Sequence, residues 1–213
     1  MRRLLAVASA VFVFAGVTVA SAAASSINVV RPWGGAVYSG TDTITLTYSI
    51  SAPKAIPSAA VDAVQEAVDD WASWLPSQAE KGNFTIVAAT GRRANVQISM
   101  KAGGGNILGQ THWSFDRQGF IKGATVKISG STYGFANDPA TVHEITLHEL
   151  GHAFVGLGHS DDPSDLMYPT LGSTSTGIGA CELAGFDALY SPWLTDGSSS
   201  TGPTLPVDST VDC

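Results

Sequence analysis

Three of the chain's five histidines, His148, His152 and His159, fall within twelve residues, and Glu149 sits beside the first of them. On a helix, four residues turn the chain by about 400°, so His148 and His152 project from one side, a turn apart. Two imidazole nitrogens so placed can meet one ion at about 2 Å, as zinc requires. Glu149, one residue along, points about 100° away from His148 and can flank that ion without ligating it. A carboxylate there can take a proton from water that the metal has acidified. The spacing H-E-x-x-H therefore encodes two ligands and a general base. A catalytic zinc keeps three protein ligands and leaves a fourth place open, and His159 is the candidate for the third. A continued helix would carry His159 about 10 Å along the axis, out of reach. Gly156 and Gly158 intervene, and glycine, free to adopt positive φ, can end the helix and turn the chain back.

The elements that must position this cluster can be read from periodicity. Thr43–Ile50 alternates β-branched or aromatic residues with polar ones and reads as a strand. Residues 57–75 carry Val61, Val64, Val68, Trp71 and Leu75 at steps of three and four, the mark of an amphipathic helix, with Pro76 at its end. Phe84–Ala89, Ala94–Ala102 and Gly123–Ser129 are further strands, with a break at Gly103–Asn106. A second helix should start at Asn137-Asp138-Pro139, where a capping residue precedes a proline, and stop at Gly156. That helix carries the histidine pair. Ala180–Tyr190 reads as a third helix, with Leu183, Phe186, Leu189 and Tyr190 on one face. The order is strand, helix, three strands and then two helices, and the expected class is an α+β domain.

The flanks are of a different character. Residues 1–24 run from Arg2-Arg3 through an apolar stretch to small residues, the order of a secretory signal peptide with cleavage after Ala22 or Ala24. An uncleaved membrane anchor is the rival reading. Residues 25–195 form the expected domain, and 196–213 a Ser/Gly/Pro-rich tail. The full chain has 11 basic and 18 acidic residues, a net charge of −7. Losing the two leader arginines makes it more acidic still. Such a protein repels phosphate, so nucleic acid is not an expected partner, and the expected form is a secreted, extracellular monomer with no membrane contact after cleavage. Cys181 and Cys213 are the two cysteines, and in an oxidising compartment they are expected to form a disulfide.

With these residues in hand, the chain resembles the metzincin metalloproteases, and within them the matrixins, whose pattern is H-E-x-x-H-x-x-G-x-x-H followed by a Met-turn. The matching stretches are "HELGH", "GLGHS" and "DPSDLMYP", with "LTYSI" similar to the family's first strand and "GFDALY" to its C-terminal helix. The resemblance implies the zincin fold, a twisted mixed sheet with an active-site helix, a second long helix and a C-terminal helix after the Met-turn. It implies one catalytic Zn2+ on His148, His152 and His159, with Met167 as a hydrophobic floor. Tyr168 and Pro169 would lead into the wall of a substrate pocket. The implied activity is zinc-dependent endopeptide hydrolysis of an extended polypeptide lying along an edge strand, either "GATVKIS" or the segment before it.

Three departures accompany the resemblance. Three residues, Ala153-Phe154-Val155, stand between the second histidine and the glycine where the family has two. One more helical residue rotates the rest of the helix by about 100°, which a bulge or a later helix end could absorb. If it does not, Asp161, Asp162 or Glu182 could replace His159 as ligand, or the chain could be a catalytically silent zinc-binding or adhesive module. No cysteine precedes Cys181, so cysteine-based latency is not expected, and Cys213 as a zinc blocker is a minor alternative. Of the family's accessory-metal segment only His112 and Asp116 remain, so no second zinc is expected. Asp161, Asp162 and Asp165 could bind calcium, which is not expected either, and His143 should face away from the metal.

Overall fold

Alternation of apolar and polar residues puts one row of side chains from each main strand into a common core. Ile44 and Leu46, Val96 and Ile98, and Val126 and Ile128 are all essentially excluded from solvent. The computed structural model describes residues 25–34, 43–78, 83–90, 93–102, 106–132, 135–170, 177–196 and 209–213. The proposed signal segment and residues 197–208 of the expected tail lie outside them. The described strands are β1 (Ser26–Val29), β2 (Thr43–Ser51), β3 (Asn83–Ala88), β4 (Val96–Lys101), β5 (Gly109–Phe115), β6 (Ile121–Ser129), β7 (Ser131–Thr132), β8 (Phe135–Ala136), β9 (Leu157–Ser160) and β10 (Ser209–Asp212). The helices are α1 (Ser58–Gln78), α2 (Pro139–Leu150) and α3 (Ala180–Asp196).

The main sheet is mixed, in the order β3-β2-β4-β6-β5. Its first four strands are parallel, and β5 runs antiparallel along β6, with Thr111 opposite Val126 and Trp113 opposite Ala124. The edge beside the cluster is therefore β5, the segment before "GATVKIS". The latter is β6, paired on both sides. Strand β5 is not evident from its own sequence, because exposed Gln110, His112 and Ser114 alternate with Gly109, Thr111 and Trp113 rather than with aliphatic residues.

Helix α1 buries Val64, Val68, Trp71 and Leu75 of the stripe its spacing predicts, together with Ala60, Ala63 and Ala67, while Val61 is only partly buried against the core. Pro76 does not end it, since the helix continues to Gln78 with Pro76 inside. The Ser77 hydroxyl donates to the Trp74 carbonyl at 2.6 Å, which helps hold that last turn. Helix α2 packs on α1 within the core on one face of the sheet, and the Trp71 indole N–H donates to the Leu147 carbonyl at 3.0 Å. A second, three-stranded sheet in the order β10-β1-β9 closes the C-terminal half.

The end of the expected tail takes part in that sheet: β10 pairs with β1 from Ser209 opposite Val29 to Asp212 opposite Ser26. Cys213 is bonded to Cys181 at the start of α3, with Cα atoms 4.8 Å apart and a sequence separation of 32. Closing a loop of that length stabilises by roughly 3–4 kcal/mol on a chain-entropy estimate. It also takes Cys213 out of consideration as a metal ligand. No helix among the described residues is long and apolar enough to cross a membrane.

Candidate active site

Helix α2 begins where its capping residue predicts. The Asp138 carboxylate accepts the Thr141 backbone N–H at 3.0 Å, and Pro139 follows it. From there the helix carries His148 and Glu149 towards β5. At Gly151 the winding changes, and Gly151–Val155 form one π-helical turn. A π turn holds one residue more than an α-helical turn and is the usual way a helix absorbs an insertion. The residue in excess of the family spacing is taken up here. Gly156 then ends the helix with φ 88°, and its N–H reaches back to the carbonyls of Gly151 and His152. The chain reverses into β9, which is held against β1 and brings His159 back to the pair.

The three imidazoles converge. Ring centroids are 4.8 Å apart for His148 and His152, 4.9 Å for His152 and His159, and 5.4 Å for His148 and His159. One nitrogen from each lies within 4.8 Å of the others. Two of the rings are oriented by backbone carbonyls: His148 Nδ1 lies 2.8 Å from the Leu166 oxygen, and His152 Nδ1 2.7 Å from that of Leu157. An Nδ1–H donated to a carbonyl leaves the lone pair on Nε2, the tautomer that ligates a metal. Burial lowers the pKa of all three imidazoles, and the His148 charge lowers His152 further, to about 3. They are neutral at ordinary pH, as ligation requires. The donor set therefore fits zinc.

Glu149 is buried, and its carboxylate accepts the Thr111 hydroxyl at 2.6 Å. Burial raises its pKa to about 7, and the Thr111 hydrogen bond opposes that rise. A carboxyl near neutrality is poised to exchange protons. Gly109, on the same strand, makes room for it, since a Cβ at that position would lie 2.5 Å from Glu149 Oε1. The Trp113 indole N–H donates to the His152 carbonyl at 2.9 Å. Strand β5 thus holds both the base and the ligand helix. None of these three β5 residues is identifiable from the sequence, because their partners are 38 to 40 positions away and no spacing pattern reports them.

Removing the Thr111 hydroxyl should be measurable. In Thr111→Val the hydrogen bond that lowers the Glu149 pKa is lost, so the acid limb of a pH profile of kcat/KM is expected to move to higher pH. A folded variant whose acid limb stays in place would show that the contact does not tune the base.

Met167 is fully buried against Gly151, whose missing side chain makes the space its thioether occupies. The Met167 N–H donates to Glu182 Oε1 at 3.1 Å, and the Gly179 N–H donates to Oε2 of the same carboxylate at 2.8 Å. Glu182 therefore ties the turn carrying Met167 to the start of α3, and does not join the imidazoles. Asp161 accepts from Ser26 of β1, Asp162 from Ser164 and Asp165 from Ser160, so these carboxylates bind β1 and the turn rather than the histidine trio. His143 points to Asp70 on α1, 2.9 Å away. His112 lies on the exposed face of β5, and Asp116 accepts N–H groups of Gln118 and Phe120 in the turn after it.

The imidazoles and Glu149 open into a cleft of about 660 Å³ that Leu108, Tyr168 and Pro169 also line. A mixed sheet whose antiparallel edge strand borders a histidine-bearing helix, a glycine reversal to a third histidine, and a buried methionine packed on that helix define a metzincin-type domain. Comparison with known proteins agrees. The matrixin family model matches residues 39–191, and the chain belongs to that family of metalloendopeptidases. It is 30% identical over 174 residues to matrix metalloproteinase-20 of Homo sapiens, covering 70% of this chain and 32% of the human protein. It is 33% identical over 72 residues to a putative matrix metalloproteinase of Trichoplusia ni ascovirus 2c, covering 34% of this chain and 13% of the viral protein. The chain thus spans about a third or less of the length of either relative.

Proposed function

We propose that this chain is a secreted, zinc-dependent endopeptidase that hydrolyses extended polypeptides. The observation that carries the reading is the convergence of three neutral imidazoles beside a buried, hydroxyl-bonded glutamate, at the edge strand of an open cleft. His148, His152 and His159 would hold the zinc. Bound there, zinc supplies Lewis acidity for the scissile carbonyl and lowers the pKa of water. Glu149 takes the proton of the attacking water as that oxygen bonds to the carbonyl carbon. It then returns the proton to the amine nitrogen as the carbon–nitrogen bond breaks. Thr111 keeps the carboxylate aimed at the cleft.

The outer edge of β5 has no strand beside it among the described residues. An extended substrate added there would gain main-chain hydrogen bonds that carry little sequence selectivity. Tyr168 and Pro169 would border the pocket that receives one substrate side chain. Residues 1–24 would direct secretion, residues 25–195 would form the catalytic domain with β10 and Cys213 joined to it, and the mature protein would act as a monomer.

The test is hydrolysis of casein by the mature protein with one equivalent of zinc. Hydrolysis is expected and should stop on addition of a chelator. His152→Ala is expected to lose both zinc and activity. Tight zinc binding by the parent with no hydrolysis would instead favour a silent zinc-binding module.

A further inference from the structure

The basic residues of this acidic chain are not evenly spread. Residues 92–127 contain six of its eleven lysines and arginines and one of its eighteen acidic residues, Asp116. The fold lays most of this segment out as β4, β5 and β6, the half of the main sheet nearest the cleft. The inward rows of β4 and β6 are apolar and that of β5 serves the site, so the polar rows of the three strands share the opposite face. Lys101 follows Gln97 and Ser99 along the outward row of β4 and is exposed. Lys127 lies opposite Ser99 on one side and Gln110 on the other, which makes it the diagonal neighbour of Lys101 on one face. At the other end, Arg93 and Lys122 line a depression of about 520 Å³ together with Gln97, His112, Ser114 and Thr125. Arg93 to Lys101 is eight residues of mostly extended chain, about 25 Å.

Among the described residues none of these four cations is in an ion pair. Asp116 is held by the backbone of its own turn. A group of unpaired cations raises the local positive potential, and a protein of net charge −7 has no need of it for solubility. We propose that the outer face of β4, β6 and β5 is a binding surface for a linear anionic polysaccharide. Lysine and arginine supply the charges, and the hydroxyls and amides between them, Ser99, Thr125, Gln97 and Gln110, match the hydroxyls of a sugar chain.

Other polyanions fit less well. Single-stranded nucleic acid is held by aromatic platforms, and the tryptophan of β5 is not available as one. Trp113 donates its indole N–H to the His152 carbonyl and sets its ring against the His152 imidazole, with centroids 5.8 Å apart. An anionic membrane would favour several apolar side chains beside the basic ones, whereas the exposed β5 positions are Gln110, His112 and Ser114, with Phe115 the one exposed apolar side chain of the strand, at its end. Trp113 also lines both the depression and the cleft. A bound polysaccharide would therefore hold the cleft close to polypeptides embedded in the same matrix.

The mature chain should be passed over immobilised heparin and over immobilised hyaluronate at low salt. Retention on at least one, despite the net negative charge, is expected, with elution as salt rises. The triple variant Lys101→Gln, Lys122→Gln, Lys127→Gln should bind that glycan at least about tenfold more weakly and with a shallower salt dependence. Its circular dichroism and casein hydrolysis should match the parent. Each single variant should give part of the loss, while Lys54→Gln, which removes one charge before α1, should leave binding unchanged. Flow-through of the parent on both glycans would overturn the proposal. Undiminished binding by the folded triple variant would also overturn it, as would tighter binding to a single-stranded oligonucleotide or to phosphatidylserine vesicles. None of these outcomes bears on proteolysis, which the casein assay tests separately.

Discussion

A Glu149→Gln protein is expected to bind one zinc as tightly as the parent and to hydrolyse peptide substrates between about a hundred and ten thousand times more slowly, the usual range for loss of a general base. Glutamine is the informative replacement because it keeps nearly everything but the proton chemistry. It has the size of glutamate, so the space beside Gly109 stays filled, and its amide oxygen can still accept the Thr111 hydroxyl. The three imidazoles are oriented by the carbonyls of Leu166 and Leu157 and by strand β9, not by Glu149, so the metal site should survive. An alanine at 149 would leave a void between α2 and β5 and confound loss of the base with movement of the edge strand. The measurement is kcat/KM on a quenched fluorescent peptide, with zinc content determined on the same sample after dialysis. A rate within about threefold of the parent, with zinc bound, would remove Glu149 from the mechanism.

Legibility in the sequence depends on the range over which each interaction acts. The His148 and His152 pair, Glu149 and the Asp138 cap are encoded within single helical turns, and spacing alone reports them. Strands β2, β4 and β6 announce themselves because their inward rows are aliphatic. Strand β5 does not, since its inward residues are Gly109, Thr111 and Trp113, chosen for the site rather than for the core. The carboxylate that ties Met167 to α3 is equally hidden. Glu182 has the chemistry of a ligand, and only the placement of α3 shows that it accepts two backbone N–H groups instead. The cation-bearing face of the main sheet is a third case, because register rather than composition brings Lys101 and Lys127 together. The inserted residue lies between these extremes. Counting detects it, but whether it bulges the helix or displaces His159 depends on the contacts that hold Gly156 and β9 in place.

Those contacts make Gly156 the position where a single methyl group should cost most. Its φ of 88° is a left-handed conformation, which strains a non-glycine residue by about 1–3 kcal/mol. The site is also closed by a neighbouring backbone. The Val30 N–H donates to the Gly156 carbonyl at 2.9 Å, and a Cβ on Gly156 would collide with the Arg31 carbonyl oxygen. Gly156→Ala must therefore either push β1 away or unwind the reversal, and a loss of about 3 kcal/mol or more is expected in denaturant unfolding of the metal-free protein. Because His159 comes three residues later, zinc affinity should fall along with stability. Gly156→Asn separates the two causes. Asparagine tolerates left-handed φ far better than alanine, but its Cβ meets the same oxygen. If asparagine recovers most of the lost stability, backbone strain is the main requirement for glycine here. If it is as damaging as alanine, the close approach of Arg31 is what reserves the position, and β1 acts as the buttress that turns the chain back to bring the third histidine to the metal site.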